Sequence, residues 1–176
     1  MINISDLRFR RLTEDTNLDD FVCADDDLND FLWNEAKDYQ KELLAVTYLL
    51  YYDNSIIAYF SLLNDTVKFQ EDDKKVRNKI NRKIPYPKQR THYPAVKVGR
   101  LAVDSRYAHN GIGEIIIDCI CSMLTTNNKT GCRFLTVDAY SDVTDFYEKK
   151  GEFRFFSEND KDDETRLMYY DLKNFK

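Results

Sequence analysis

Val103–Met123 reads VDSRYAHNGIGEIIIDCICSM, and it holds two of the chain's five glycines, Gly111 and Gly113. They stand where a loop gives way to an apolar helix. Ile112, Ile115, Ile116, Cys119, Ile120, Met123 and Leu124 follow the i, i+3, i+4, i+7 spacing, which predicts one buried face over three turns. The first turn of a helix presents N–H groups with no intrahelical acceptor and a partial positive charge. Glycines just ahead of it let an anion approach the main chain without meeting a Cβ. The same pair fits a plain tight turn from strand to helix, so its meaning depends on what surrounds it.

Upstream, AVKVGRLAV (Ala95–Val103) reads as a strand. Downstream come a strand in RFLTVDA (Arg133–Ala139), a short helix in VTDFYEKKG ended by Gly151, and closing strands in FRFF and RLMYYDL. Towards the amino terminus the pattern predicts a strand over Ile4–Leu12. It is followed by a helix in DDDLNDFLWNEAKDYQ, with Leu28, Phe31, Leu32, Ala36 and Tyr39 on its apolar face and an acidic start suited to the helix dipole. AVTYLLYY and IIAYFSLL, separated by Asp53, Asn54 and Ser55, predict an antiparallel hairpin. The stretch between this hairpin and Ala95 is charged and reads as irregular. The fold class is therefore α+β: a mainly antiparallel sheet flanked by helices, with a strand–turn–helix–strand unit at its centre. No repeat or linker divides the chain, so residues 1–176 are expected to form a single domain.

Composition agrees. With 176 residues, 43% of them hydrophobic, the chain can bury one substantial core. MINISDLRFRRL lacks the apolar core of a secretory signal. The longest apolar-rich run, LLAVTYLLYY, falls short of the ~18 residues of a membrane helix, so a cytoplasmic protein without membrane contact is expected. The four cysteines lack metal-site spacing: Cys119 and Cys121 diverge on the predicted helix, and no metal is expected. A net charge of −5 argues against general coating of nucleic acid. One segment departs from that balance. Lys74–Arg90, KKVRNKINRKIPYPKQR, has eight basic residues and no acidic one. It fits an RNA-facing patch, and it fits equally a solvated face paired with the acidic SENDKDDE segment (Ser157–Glu164).

The strand VGRLAVD, the loop, the apolar helix, the strand FLTVDA and then DFYEKKG resemble, in order and spacing, the acyl-CoA-binding half of the GNAT superfamily of N-acyltransferases. The resemblance extends over most of the chain. FVCADDDLNDFL, TYLL, VGRLAVD and DFYEKKG look like the branch that includes the acetyltransferase toxins of bacterial toxin–antitoxin pairs. It implies a GNAT-like sheet splayed at the acyl-CoA site and transfer of an acetyl group from acetyl-CoA, the cosubstrate, to a primary amine. In that branch the acceptor is the amino group of aminoacyl-tRNA, which Lys74–Arg90 would suit. A homodimer or an antitoxin partner is left open.

Carried over residue by residue, Leu101, Ala102 and Val103 would splay at a bulge and offer main-chain groups to the pantetheine arm. Ala108, His109, Asn110, Gly111, Ile112 and Gly113 would wrap the pyrophosphate. The family's first loop position is usually Gln or Arg, and Ala108 departs from it. Arg106 and His109 stand close enough in sequence to add charge for the cofactor's phosphates, or to be ordinary solvated loop residues. Tyr147 occupies the place of the general acid that protonates the departing thiolate. Its other reading is packing beside Phe146. Ser141 or Asp142 stands where the family often has an asparagine, in a segment slightly shorter than usual. Asp138 and Glu148 are the nearest candidates for a general base, and neither is assigned. An α-amino group, with a pKa of ~7.7–8.0, would need little help, unlike a lysine amine near ~10.4. The competing class is a non-catalytic acyl-CoA-binding or partner-binding module that keeps the fold.

Overall fold

The computed structural model of the chain describes residues 4–69, 74–82, 84, 92–126, 128 and 130–175. After a 3₁₀ turn at Ile4–Asp6 come β1 (Arg8–Arg11), α1 (Asp26–Asp30), a π-helical turn (Phe31–Glu35), α2 (Ala36–Lys41), β2 (Val46–Tyr52) and β3 (Ser55–Lys68). Then follow α3 (Lys74–Asn81), β4 (His92–Val103), α4 (Ile112–Thr125), β5 (Phe134–Tyr140), α5 (Thr144–Lys149), β6 (Arg154–Phe155) and β7 (Thr165–Asp171). Hydrogen bonding orders the strands β1-β2-β3-β4-β5-β7-β6. β4 and β5 pair in parallel, whereas β1–β2, β2–β3, β5–β7 and β6–β7 are antiparallel.

The chain divides into two compact units, Met1–Leu63 with Val98–Cys119 and Asn64–Lys97 with Ile120–Lys176. In the first, Asp25 caps α1: its carboxylate accepts the N–H groups of Asp27 (2.9 Å) and Leu28 (3.2 Å), and Asp26 and Asp27 add negative charge to the first turn. The predicted apolar face is buried at Phe31, Leu32 and Ala36, packing with Leu12, Phe21, Leu49, Tyr59 and Ala102. Tyr39 differs and stays 39% exposed, beyond the π turn that shifts the helical phase. The β2–β3 hairpin turns on Asp53 and Asn54 alone, both at positive φ (46° and 65°), because Ser55 already pairs with Tyr52. Two left-handed residues make the turn that matches strand twist.

In the second unit the stretch expected to be irregular contains α3. Val76, Ile80 and Ile84 recur every four residues and join Phe69, Tyr93, Phe134, Phe156 and Tyr169 in one apolar cluster. Ile80 is buried and Val76 and Ile84 are partly so; full burial of a side chain like Ile80 contributes ~1.5–3 kcal/mol relative to exposure, which helps order a short, otherwise charged helix. Tyr93 also donates to Asn81 Oδ1 at 2.7 Å.

The apolar helix α4 forms where expected, with its buried stripe rotated. Ile112, Ile116, Ile117, Ile120 and Cys121 are buried, whereas Met123 is 37% exposed. Three consecutive isoleucines at 115–117 let the sequence satisfy either phase. Packing selected the phase that buries Ile117 and Cys121 and leaves Ile115 and Cys119 only partly covered.

Candidate functional site

The strand that precedes the glycine loop ends on a buried carboxylate. Asp104 is 1% exposed and accepts four hydrogen bonds: from the N–H of Val22 (3.1 Å), the N–H of Arg106 (2.9 Å), and Arg106 Nε (2.8 Å) and Nη2 (3.0 Å). Arg106 Nη2 also reaches the Asp20 carbonyl at 2.8 Å, and the Asp104 N–H donates to the Ile57 carbonyl at 2.9 Å. Burial pushes the Asp104 carboxyl up, but the Arg106 guanidinium and the backbone donors outweigh it and hold the pKa below the usual carboxylate range. Arg106, a candidate for cofactor charge, is thus committed to fixing the loop's entry. The sequence signal for this is an acidic residue at the end of a strand and just ahead of a turn, a position that caps backbone N–H groups.

Because the folded pKa of Asp104 is lowered, its contribution to stability is present above the unfolded value of ~3.9 and is lost as pH falls through the folded value. Asp104→Asn removes the charge that all four donors address. It is expected to cost ~2–3 kcal/mol, or ~5–10 °C in melting temperature near neutral pH, and to flatten the acid limb of the stability profile. Thermal melts of both proteins between pH 3 and 7 check this.

After the 3₁₀ turn Ser105–Tyr107, the Asn110 amide folds back onto the carbonyls of Tyr107 (3.2 Å) and Ala108 (3.0 Å). His109 and Gly111 both adopt positive φ (61° and 75°). At Gly111 that conformation is why glycine stands there; at His109 a side chain tolerates it in an exposed turn. The helix then opens at Ile112, with Ile115 N–H bonded to the Gly111 carbonyl at 3.3 Å. Ile112 is buried and anchors the helix, while Ala108, His109, Asn110, Gly111 and Gly113 are partly or fully exposed. The loop is therefore a short accessible stretch of main chain leading into a helix amino terminus. An anion can be held there by backbone N–H groups.

Leu101 and Val103 are half-buried and Ala102 lies in the core of the first unit. The registered β4–β5 pairing covers only Ala95–Lys97 against Phe134–Thr136, although β4 runs on to Val103 and β5 to Tyr140.

Tyr147 belongs to the second unit. It sits on α5 with its ring packed edge-on against Phe146 (5.0 Å) and Phe153 (5.4 Å). Phe153 also donates its N–H to the Tyr147 carbonyl at 2.9 Å, and a Cβ at Gly151 would lie 2.9 Å from the Phe153 ring. Glycine at the helix end is what lets Phe153 close over Tyr147. Burial pushes the phenol pKa well above its usual value, and among the described residues the hydroxyl has no hydrogen-bond partner. Packing and an unengaged hydroxyl coexist in one residue.

Neither base candidate stands out. Asp138 is held by Lys97 Nζ at 2.6 Å, and Glu148 is exposed. Ser141, at the position of the family's asparagine, donates to the carbonyls of Asp163 (3.1 Å) and Glu164 (3.2 Å), and Asp142 is exposed. Of the basic run, Lys74, Lys79 and Arg82 are exposed, whereas Lys83, Lys88 and Arg90 lie outside the described residues. Among the described residues the acidic segment pairs instead with Arg166, through Glu158 (3.8 Å) and Asp160 (3.4 Å). None of the four cysteines forms a disulfide, no group of His, Cys, Asp or Glu among the described residues is placed to hold a metal, and no described helix is long and apolar enough to cross a membrane.

No family model matches the sequence, and no curated protein matches it. Solved structures do. A tyrosine-to-phenylalanine mutant of KacT superposes with a TM-score of 0.74 at 20% identity, over 97% of each chain. A tyrosine-to-phenylalanine mutant of the AtaT toxin, bound to acetyl-CoA and the C-terminus of the antitoxin AtaR, gives 0.69 at 19% identity over 97% of this chain and 96% of that one. AtaT complexed with acetyl-methionyl-tRNAfMet gives 0.70 at 20% identity over 96% of each chain. The chain has the GNAT fold. The glycine loop opening on α4 is the segment to which the sequence resemblance assigned the cofactor's pyrophosphate.

Proposed function

We propose that this protein is an acetyl-CoA-dependent N-acetyltransferase that acts on a primary amine, with the amino group of aminoacyl-tRNA as the acceptor. The observation that carries the reading is the strand-to-loop segment Leu101–Gly113. It combines the end of β4 with an accessible loop that leads into a helix amino terminus. Leu101, Ala102 and Val103 take the pantetheine arm, and Ala108–Gly113 hold the pyrophosphate through backbone N–H groups, so the missing side chain at Ala108 is tolerated. Acetyl-CoA supplies an activated acyl carbon. The acceptor nitrogen bonds to that carbon, the carbon–sulfur bond breaks, and the Tyr147 hydroxyl gives its proton to the departing thiolate. The amine's surplus proton passes to water, which suits an α-amine that is already partly neutral. Solvent then restores the phenol proton. Support for donor and acceptor comes from the neighbours: AtaT has been captured with acetyl-CoA and with acetyl-methionyl-tRNAfMet, and KacT and AtaT have both been prepared with tyrosine replaced by phenylalanine. A partner of the antitoxin kind belongs to the same proposal.

Labelled acetyl-CoA incubated with charged tRNA and, separately, with small amines tests donor and acceptor together. Thiol release with label in aminoacyl-tRNA, weakening steeply with salt, is the expected result. Transfer to small amines alone would remove the RNA acceptor, and cofactor binding without thiol release would leave the non-catalytic module. Lys79→Gln with Arg82→Gln should lower the salt slope if α3 touches phosphate, without changing acetyl-CoA binding.

A further inference from the structure

β1 is an edge strand whose four residues read RFRR. Arg8 and Arg10 alternate onto one face, and Arg8 stands opposite Tyr51 in the register with β2. The Arg10 guanidinium lies over the Tyr51 ring, 5.2 Å from its centroid. Asp6, Arg8, Arg10, Tyr51, Tyr52, Asp53 and Asn54 line a cleft of about 570 Å³. A second hollow of about 520 Å³ shares Arg10 and Tyr51 with it. Among the described residues neither arginine forms an ion pair: Arg8 donates to the carbonyls of Ser5 (2.8 Å) and Leu7 (3.1 Å), and Arg10 contacts only the ring. Tyr52 meets Tyr107 edge-on at 6.3 Å, and Tyr107 is the residue immediately before the Ala108–Gly113 loop.

Charged residues on an edge strand commonly serve only to block pairing with another chain. That account covers the arginines. It does not cover a cleft lined by both arginines and both tyrosines, or the aromatic contact that leads from Tyr52 to the loop. Cations for phosphates beside rings for bases are the elements that hold single-stranded nucleic acid without regard to sequence. We propose that the Arg8–Arg10–Tyr51–Tyr52 cleft binds a single-stranded RNA end. The cleft carries this inference by itself; that the RNA delivers the acetyl acceptor rests on the function proposed above.

The test uses the full chain and a fluorescent twelve-nucleotide single-stranded RNA ending in CCA, with affinity followed by anisotropy from 50 to 300 mM salt. Two lost phosphate contacts should reduce the slope of log K against log salt by ~1.4 in Arg8→Gln/Arg10→Gln, at ~0.7 per contact. Tyr52→Leu should weaken binding roughly tenfold with the slope unchanged, the signature of lost stacking. Neither variant should alter the thermal shift given by acetyl-CoA. Because Arg8 also holds main-chain carbonyls, Arg10→Gln alone, with a slope change of ~0.7, serves if the double variant does not fold. An unchanged slope in a folded variant overturns the proposal. So does loss of the acetyl-CoA shift, which would assign the cleft to the cofactor's own adenosine phosphate. If charged tRNA accepts no acetyl group while these oligonucleotide results hold, the acceptor reading falls and the RNA cleft stands.

Discussion

Tyr147→Phe is expected to leave acetyl-CoA affinity unchanged and to slow acetyl transfer by ~10²–10⁴-fold, the range typical of a lost general acid. The substitution deletes one oxygen from a ring whose packing against Phe146 and Phe153 does not involve the hydroxyl, so α5 should keep its structure. Burial raises the phenol pKa, which works in two directions. It keeps the proton in place throughout the physiological range, and it makes the group a weaker acid towards a thiolate whose conjugate acid lies near ~8.5. The proton therefore moves as the carbon–sulfur bond breaks, when the sulfur is most basic. In the wild-type protein the rate should show no alkaline decline from Tyr147 at or below pH 10. One consequence separates this role from a packing role: the variant's loss should fall on kcat with KM little changed. A variant that turns over at the wild-type rate, measured where chemistry limits, removes Tyr147 from the mechanism.

The second large effect is expected at Gly113. Acetyl-CoA at a hundredfold excess over its Kd should stabilise the protein by ~2.7 kcal/mol, a rise of ~5–10 °C in melting temperature for a chain of this size. Gly113→Val should reduce that rise to ~1–2 °C by weakening the complex roughly a hundredfold, because a branched side chain would stand where phosphate meets the backbone. Gly113 is the better probe of the two glycines. Gly111 sits at φ 75°, where any side chain strains the fold, whereas Gly113 lies inside α4 with no positive φ. A folded Gly113→Val protein with the full acetyl-CoA shift would move the pyrophosphate away from this loop.

Sequence alone determined whatever rests on local order. The hairpin, the capped amphipathic helix, the strand before Gly111 and the apolar helix after it each follow from residue spacing and turn chemistry within a few positions, and the GNAT resemblance followed from their order. α3 was legible too, in Val76, Ile80 and Ile84, but eight cations in the surrounding run masked a stripe that recurs only every fourth residue. Other features had no local signal. Which isoleucines of α4 face inward depended on what packed against them, since three in a row satisfy two phases. Arg106 reads as a loop cation until Asp104, Val22 and Asp20 are brought together from opposite ends of the first unit, and only then is its charge seen to be spoken for. The β1 arginines read as part of a plain strand until pairing with β2 sets them beside Tyr51. A carboxylate's partner, a helix's phase and a cleft's lining depend on residues distant in the chain meeting at one place, and close packing of the folded chain is what brings them there.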